Sequence, residues 1–413
     1  MSEFLSALFL ALSLQAGYNT SLVLIGSAIL GAGAGAIGVF VLLRKRALVS
    51  DAISHATLPG IALAFLFGTW AFGDGRALWL LLLGATLSAG IGVLAVEWMT
   101  RRTRLTEDTA IGTVLSTFFA LGIVLLTFIQ SLNVGGQAGL SDFILGSTAG
   151  LLQADAMLIA VTAGLVSIVL WTRIKEFSLL CFDPLFARAQ GMKVANLDRL
   201  LLLLLLAIVV IGLKTVGLVL VIALTIIPPV AARFWTDRVG PMLLVSAAIG
   251  GIGAYFGAAL SSIAADLPTG GLIVLTLFAV FLVSMLVAPS RGVFGSTLKH
   301  FFFQRTIHER QGLLAVSRGE PIFDPLTRRL LIKRGYLRAD GAPTSEGTMA
   351  AQKMARDQAL WNAYRRAYPT EAMMLDDWSL RPIDDVLPKD LVQSLSPELA
   401  PVSISKSGGG SAR

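Results

Sequence analysis

The sequence predicts an all-α polytopic membrane protein with eight or nine transmembrane helices, followed by a small cytoplasmic α+β domain. The first observation is composition: 55% of the 413 residues are hydrophobic and only 14% are charged, and the mean hydropathy is +0.76. This balance excludes an ordinary soluble protein. The second is that apolar runs of about 17 to 24 residues alternate with charged clusters. The third is that the sequence becomes rich in Arg, Asp and Glu after Pro289.

Nine apolar runs are the candidate spans, because each approaches the length needed to cross a hydrocarbon core at about 1.5 Å per residue. The two runs on either side of Lys214 are also compatible with one broken unit, since Pro228 and Pro229 remove backbone donors. We therefore expect eight or nine spans. The runs are 20–43, 52–71, 77–99, 109–130, 151–171, 198–213, 215–232, 240–259 and 270–288.

The basic loops predict the orientation of the chain. Lys and Arg concentrate in every second loop, and such loops are usually cytoplasmic. The opposite loops carry Asp74, Asp142 and Asp266, so the N-terminus should face outward unless residues 4–16 also span. We interpret the net charge of +7 as this topology signal, not as a nucleic-acid footprint. The basic loops are RKR at 44–46, RRTR at 101–104, the 173–199 loop, and Arg233 with Arg238.

The change after Pro289 divides the chain. We predict a transmembrane domain at 1–290, a cytoplasmic domain at 291–400 and a disordered tail at 401–413. The single cysteine, Cys181, excludes an internal disulfide and a cysteine-based metal cluster. No cleavable signal is expected, because the first 16 residues lack a basic region.

Glycine is concentrated in the membrane part, as in GSAILGAGAGAIG at 26–38. Small residues at three- and four-residue spacing let helix backbones approach closely, so we expect tight helix packing. A substrate route beside these glycines is the alternative interpretation.

Asp51 and His55 are the candidate functional residues of the membrane part. On a helix they share one face about one turn apart, and His55 is the only histidine before residue 291. A carboxylate inside hydrocarbon must be paired or hydrated, so the pair should face a bundle interior or a watery cavity. The alternative for Asp51 is a helix N-cap.

A carboxylate oxygen and an imidazole nitrogen together suit divalent first-row ions such as manganese, iron or zinc. Two ligands are too few for tight binding. A symmetric dimer would place two copies of Asp51 and His55 around one axis, so the ligand count predicts a homodimer. An intramembrane metalloprotease is excluded, because the sequence has no H-E-x-x-H motif.

Three stretches in order resemble the metal-permease family of ABC importers, the manganese, zinc and iron uptake type. They are RKRALVSDAISHATLPGIALAF at 44–65, FDPLFARAQGM at 182–192 and KTVGLVLVIALTIIPPVAARFWTDR at 214–238. The resemblance covers roughly residues 15 to 290. It implies a non-catalytic, multi-pass permease subunit in the inner membrane of a bacterium, in which Asp51 and His55 match the family's metal-contacting residues.

The resemblance also implies partners: a second permease subunit, most simply an identical copy, an extracytoplasmic metal-binding protein, and a separate ATPase. The absence of a G-x-x-x-x-G-K-[ST] loop agrees with a separate motor. No permanently bound cofactor is expected, only the transported ion, with manganese or iron ahead of zinc.

The loop at 173–199 should contain a short capped helix. Asp183 and Pro184 are start signals, and Gly191 is a stop signal. The resemblance implies that this segment docks on the ATPase. The residues expected to carry the coupling are Asp183, Pro184, Phe186, Arg188 and Gly191.

The cytoplasmic part weakly resembles the metal-dependent winged-helix repressors of the iron and manganese type, over 330–361 and 376–387. Gln358 stands where that family has a metal-ligating His, and Arg381 replaces a Glu. Asp384 and Asp385 stand where it has Glu-His. We therefore expect no intact repressor-type metal site.

A membrane-tethered metal-responsive regulator is the alternative function for the whole chain. DNA binding would need a basic recognition helix, which RRLLIKR at 328–334 offers. A basic segment beside a membrane is more often drawn to anionic lipid. We therefore expect membrane lipid, rather than nucleic acid, as the partner of this segment.

Overall fold

The structure is a computed structural model, and it describes residues 2–73, 75, 77–132, 151–263, 267–288, 291–375 and 381–395. It divides into two compact units, residues 1–296 and 297–413. The outward-loop residues Asp74, Asp142 and Asp266, the tail at 401–413 and the first five residues of the 376–387 stretch lie outside the described part.

Helices make up the described regular structure of the first unit. Eight of them, α2 to α6, α9, α11 and α12, are long and apolar enough to cross a membrane, which confirms an all-α polytopic membrane protein. The helices are α1 (Ser2–Leu12), α2 (Tyr18–Leu43), α3 (Ala47–Phe72), α4 (Leu78–Arg102), α5 (Glu107–Ser131), α6 (Gln153–Thr172), α7 (Ile174–Phe182), α8 (Pro184–Ala189), α9 (Val194–Val216), α10 (Leu218–Arg233), α11 (Val239–Ser261) and α12 (Thr269–Val287).

The region around Lys214 forms two helices, not one. Gly217 adopts a φ of +85° between α9 and α10, a conformation that favours glycine. Helix α10 has only 16 residues, or roughly 24 Å at about 1.5 Å per residue. Helix α1, with 11 residues, is shorter still.

The second unit is also helical where it is described. Its helices are α13 (Val293–Arg318), which begins in the first unit, α14 (Pro325–Lys333), α15 (Ser345–Ala367), α16 (Pro369–Met374), α17 (Ile383–Val386) and α18 (Lys389–Leu395). A buried cluster around Trp361 and Tyr364 of α15 packs with Ile383, Val392 and Leu395.

The predicted α+β character of this unit is not supported. Outside the helices, the described residues contain one isolated β-bridge, between Leu337 and Pro343, and no strand. The pairing stays short because the Tyr336 N–H donates to the Leu331 carbonyl at 2.9 Å and the Ala342 N–H donates to the Asp340 carboxylate at 3.0 Å, so neither group extends the pairing.

Glycines of α2 let this helix pack closely against α10 and α11 in the core of the first unit. A Cβ added at Gly31 would overlap the Gly250 carbonyl of α11, and one added at Gly38 would overlap the Thr225 carbonyl of α10. The Ser246 hydroxyl of α11 donates to the Gly35 carbonyl at 2.6 Å. The tight packing predicted for 26–38 is therefore confirmed.

The same device holds α3 against its neighbours. Gly60 of α3 and Gly84 of α4 approach so closely that a Cβ on either would overlap the carbonyl of the other. On α5, a Cβ at Gly122 would lie 2.7 Å from the Leu58 Cβ. These contacts fix α3, the helix that carries Asp51 and His55, between α4 and α5.

Candidate functional site

Asp51 and His55 lie on α3 as the sequence predicts, and they contact each other. The His55 Nε2 is 3.2 Å from the Asp51 Oδ1. An ionised carboxylate can only accept a hydrogen bond, so the imidazole donates through Nε2 in this arrangement. A cation bound between the two groups would take the place of that shared proton.

The helix-cap interpretation of Asp51 is wrong. Helix α3 begins at Ala47, its N-cap residue is Arg46, and its first turn contains no acidic residue. Asp51 is the fifth residue of the helix, where the backbone N–H groups are already hydrogen-bonded within the helix. The carboxylate is therefore free for a role other than capping.

The pair lies on an open stripe of an otherwise buried helix. Exposure of the side chains is 29% for Asp51 and 18% for His55, while most of the apolar segment of α3 is buried within the chain. The open stripe consists of the exposed Leu48 and the partly exposed Asp51 and His55. Residues 56–62 are buried, and exposed apolar residues follow only further along the helix, at Leu63, Phe67 and Trp70. Polar groups on a membrane helix seldom face lipid, so this stripe is suited to a partner surface or an aqueous pathway.

The surroundings of the His55 ring are mostly apolar. Phe119 of α5 meets it edge-on, with ring centroids 4.8 Å apart. The Nδ1 atom is buried and has no hydrogen-bond partner among the described residues. Ser54 is not a third ligand, because its hydroxyl donates to the Ser50 carbonyl at 2.8 Å.

One chain supplies only part of a metal site. Among the described residues no group of three or more His, Cys, Asp or Glu side chains could hold an ion. Within the described part of the chain, Asp51 and His55 therefore offer two donors of a coordination sphere.

The predicted coupling segment forms the short helix α8, capped as the sequence indicates. The Asp183 carboxylate accepts from the Phe186 N–H at 2.9 Å, Pro184 is the first helical residue, and Gly191 follows the helix with a φ of +79°. Ala187 is buried, whereas Leu185 and Phe186 are exposed. Arg188 is also exposed. Helix α8 is thus anchored by the buried Ala187 and exposes two apolar side chains and one cationic side chain.

A charged cluster that sequence reasoning missed lies next to this segment. Arg46, which precedes α3, pairs with Asp198 of α9 at 2.6 Å and with Glu107 at the start of α5. Arg44 pairs with the same Asp198 at 3.0 Å and donates to the Leu180 carbonyl of α7 at 3.1 Å. We call these four residues, Arg44, Arg46, Glu107 and Asp198, the charge cluster.

The charge cluster borders a cavity of about 260 Å³ that Arg188 and residues Val49, Ala52 and Ile53 of α3 also line. Burial alone would lower the pKa of Arg46, but Asp198 and Glu107 outweigh that effect and leave the pKa raised. The sequence marked Arg44 and Arg46 only as a topology signal, because their partners lie more than 50 residues away in the chain.

A second missed feature is an ion pair within the membrane part. Lys214 of α9 donates to Asp155 of α6, and the other Asp155 oxygen accepts from the Leu152 N–H at 3.3 Å. Asp155 is buried. Mutual neutralisation explains how both charges are tolerated there.

The residues that mark the degenerate repressor site do not converge on an ion site. The Gln358 amide accepts from Arg310 at 2.6 Å, and the Arg381 carbonyl accepts from the Trp361 indole at 3.1 Å. Burial raises the pKa of Asp357, and nearby Asp384 adds to the rise. Asp384 and Asp385 are exposed.

Comparisons with known proteins cover the first unit. Residues 18–288 match the family described as the ABC 3 transport family. The chain is 40% identical over 298 residues to the manganese transport system membrane protein MntC of Bacillus subtilis (strain 168), covering 72% of this chain and 67% of that protein. It is 39% identical over 280 residues to the zinc transport system membrane protein TroC of Treponema pallidum (strain Nichols), covering 67% of this chain and 91% of that protein.

A solved structure has the same fold. PsaBC from Streptococcus pneumoniae in complex with Fab superposes with a TM-score of 0.59 and 28% identity, covering 70% of this chain and 97% of that chain. The family match ends at residue 288, so it leaves the second unit outside the matched residues.

Proposed function

Because the chain belongs to the ABC 3 transport family, we propose that it is the permease subunit of an importer for divalent transition-metal ions in the inner membrane of a bacterium. The ion arrives from an extracytoplasmic binding protein, and a separate ATPase drives transport. The observation that carries the proposal is the contact of Asp51 with His55 at 3.2 Å on the open stripe of α3.

The donor set supports a first-row divalent ion. Manganese, iron and zinc all accept a carboxylate oxygen with an imidazole nitrogen, and geometry and availability decide among them. The relatives named above include one manganese system and one zinc system. We propose manganese or iron ahead of zinc, and competition among the three ions for uptake in whole cells would rank them.

A homodimer completes the site in this proposal. The stripe of α3 leaves a carboxylate and an imidazole uncovered, at a cost in a lipid-facing position. Pairing two stripes around a twofold axis doubles the donors to two carboxylates and two imidazoles. It also covers the exposed apolar residue Leu48.

The charge cluster links the motor to the site. The exposed Leu185 and Phe186 of α8 supply the apolar contact for the ATPase, and Arg188 reaches the cavity that the charge cluster borders. Since Arg46 is the N-cap residue of α3, a shift of α8 can be passed to the helix of Asp51 and His55.

Replacing Phe186 with Ala should therefore weaken the stimulation of the ATPase by this subunit. Unchanged stimulation would exclude this docking role.

Metal uptake into vesicles reconstituted with the ATPase tests the site. Asp51→Asn and His55→Gln should each lower ATP-dependent manganese uptake at least tenfold, because the first removes the negative charge at nearly constant size and the second removes the imidazole nitrogen donor. Asp237→Asn and His300→Gln are the matched controls, since Asp237 is an exposed loop residue and His300 is exposed outside the spans. Normal uptake by both site variants would refute the assignment.

The alternative of a membrane-tethered regulator gains no support. The matched residues end at 288, and the basic segment 328–334 has two of its cations engaged by the protein. Arg328 donates to the Ala339 carbonyl at 2.9 Å, and Arg334 pairs with Glu309 at 3.3 Å.

A further inference from the structure

Helix α13 exposes phenyl rings that the transport proposal does not use. Phe301 is 63% exposed and Phe302 is 55% exposed, and Phe294 and Phe303 are exposed as well. At about 100° per residue, Phe294, Phe301 and Phe302 fall within about 100° of one another around the helix, whereas Phe303 lies on the opposite side. The first half of α13 therefore has one face with three exposed rings and the single exposed ring of Phe303 on the other side.

We propose that this face lies in the headgroup region of the cytoplasmic leaflet, with the rings of Phe294, Phe301 and Phe302 turned toward the acyl chains. The occupant is the lipid surface, not a protein. Helices of this kind lie in the plane of the interface and bury an aromatic face a few ångströms below the headgroups.

The covalent chain keeps this face near the membrane. Helix α12, a candidate span, ends at Val287, and α13 begins at Val293. Five residues extend at most about 3.5 Å each, and the Gly292 N–H donates to the Ala288 carbonyl at 2.8 Å, which shortens the connection further.

An ion pair ties the start of α13 to an inner loop. Arg291 pairs with Asp237 at 2.7 Å, and Asp237 lies in the α10–α11 loop beside Arg233 and Arg238. Basic loops of this type mark the cytoplasmic side. The first residues of α13 are thereby held at the level of that leaflet.

Charge favours an anionic surface. Residues 293–308 contain two basic residues and no acidic residue, and basic residues next to a span are attracted to acidic lipid headgroups. The inference depends on the orientation of the chain and not on the identity of the transported ion.

Fluorescence quenching by brominated lipid tests the proposal on the full chain. Phe301→Cys, Phe302→Cys and Phe303→Cys are made in a Cys181→Ala background, labelled with bimane and reconstituted in phosphatidylcholine vesicles with 30% phosphatidylglycerol. The control is Phe323→Cys, because Phe323 is 87% exposed in the second unit and lies outside α13.

Labels at 301 and 302 should be quenched at least threefold more strongly than the label at 323, and more strongly than the label at 303. The dependence on helix face separates an interfacial helix from general adhesion. Equal quenching at 301, 303 and 323 would overturn the proposal. So would labels at 301 and 302 that stay unquenched in lipid and become shielded only when the ATPase is added, which would assign the face to a protein partner.

Discussion

At the scale of single residues, Cys181 shows how position sets chemistry. Cys181 lies in α7, outside the candidate spans. Its thiol is 3.9 Å from the Phe40 carbonyl of α2. Burial raises the pKa of the thiol from 9.0 to about 12, and Asp198 adds to the rise against the opposing effect of Arg44. The thiolate, which is the reactive form, is therefore scarce at neutral pH.

We expect native Cys181 to react with maleimide roughly 1000-fold more slowly than in the denatured chain at pH 7 to 8, because three pKa units change the thiolate fraction by about that factor. Reactivity should rise about tenfold per pH unit up to about pH 12. Mass spectrometry of the labelled native and denatured chains measures both rates. Rates within tenfold of each other would contradict the burial of the thiol.

The Asp155–Lys214 pair gives a second residue-scale prediction. Lys214→Met should destabilise the protein by about 3–5 kcal/mol, because it leaves a buried carboxylate without its partner. Adding Asp155→Asn should recover most of that loss, since no charge then remains. Thermal unfolding in detergent compares the two variants. If the double variant is no more stable than Lys214→Met, the two side chains do not compensate each other.

The contact between Asp51 and His55 could be predicted, because both residues lie on one helix and the helical period brings side chains four residues apart together. The partnership of Asp155 with Lys214 could not, because it joins residues 59 positions apart. The contacts of Arg46 with Asp198 and of Phe119 with His55 could not be predicted either, because they also join residues that are distant in the sequence. Contacts between helices depend on packing that no local pattern encodes.

At the scale of helices, glycine contacts decide how α3 is held. Gly60 and Gly84 allow the backbones of α3 and α4 to touch. In lipid there is little hydrophobic drive between helices, so this contact supplies much of their association. Gly90, also on α4, meets no described atom at its Cβ position, which makes it a matched control.

Gly60→Ala should therefore cost roughly 1–3 kcal/mol through overpacking and should lower metal uptake by displacing the helix of Asp51 and His55. Gly90→Ala should leave stability unchanged or slightly raised, since alanine favours the helix. Unfolding temperature and uptake are measured for both variants. A Gly60→Ala protein as stable and active as Gly90→Ala would show that the α3–α4 contact tolerates a larger separation.

Most helices could be predicted from apolar runs and end signals, including the capped α8 with Asp183, Pro184 and Gly191. Whether the second unit forms strands could not be predicted. A weak resemblance to the winged-helix repressors does not determine whether a short strand pair forms in this chain. The pairing of Leu337 with Pro343 is limited to one bridge, because the neighbouring Tyr336 and Ala342 N–H groups donate to the Leu331 carbonyl and the Asp340 carboxylate instead.

At the scale of the whole molecule, the chain joins a membrane unit to a second unit with a separate core. Composition predicted the division near residue 290, because charged residues become frequent where spans end. The role of the second unit could not be predicted, since its resemblance lacks the ligands that would define a metal sensor. The family match ends at residue 288, so the role of the second unit can be tested by deleting it.

Deleting residues 297–413 should leave at least half of the ATP-dependent metal uptake, because the pair Asp51 and His55, helix α8 and the charge cluster all lie in the first unit. Uptake per copy in reconstituted vesicles is the measurement, with the full chain alongside. Complete loss of uptake in a folded, inserted deletion variant would make the second unit part of the transport machinery.

The open stripe of α3 has a consequence for the life of the protein in the cell. In the proposed homodimer, a newly inserted copy keeps its Asp51 carboxylate and His55 imidazole partly exposed until it meets a second copy, and the single chain is less stable in lipid during that interval. Since encounter scales with the square of copy number, mature permease should accumulate more steeply than its rate of synthesis. Scarce expression would then leave many short-lived single chains for membrane proteases to remove.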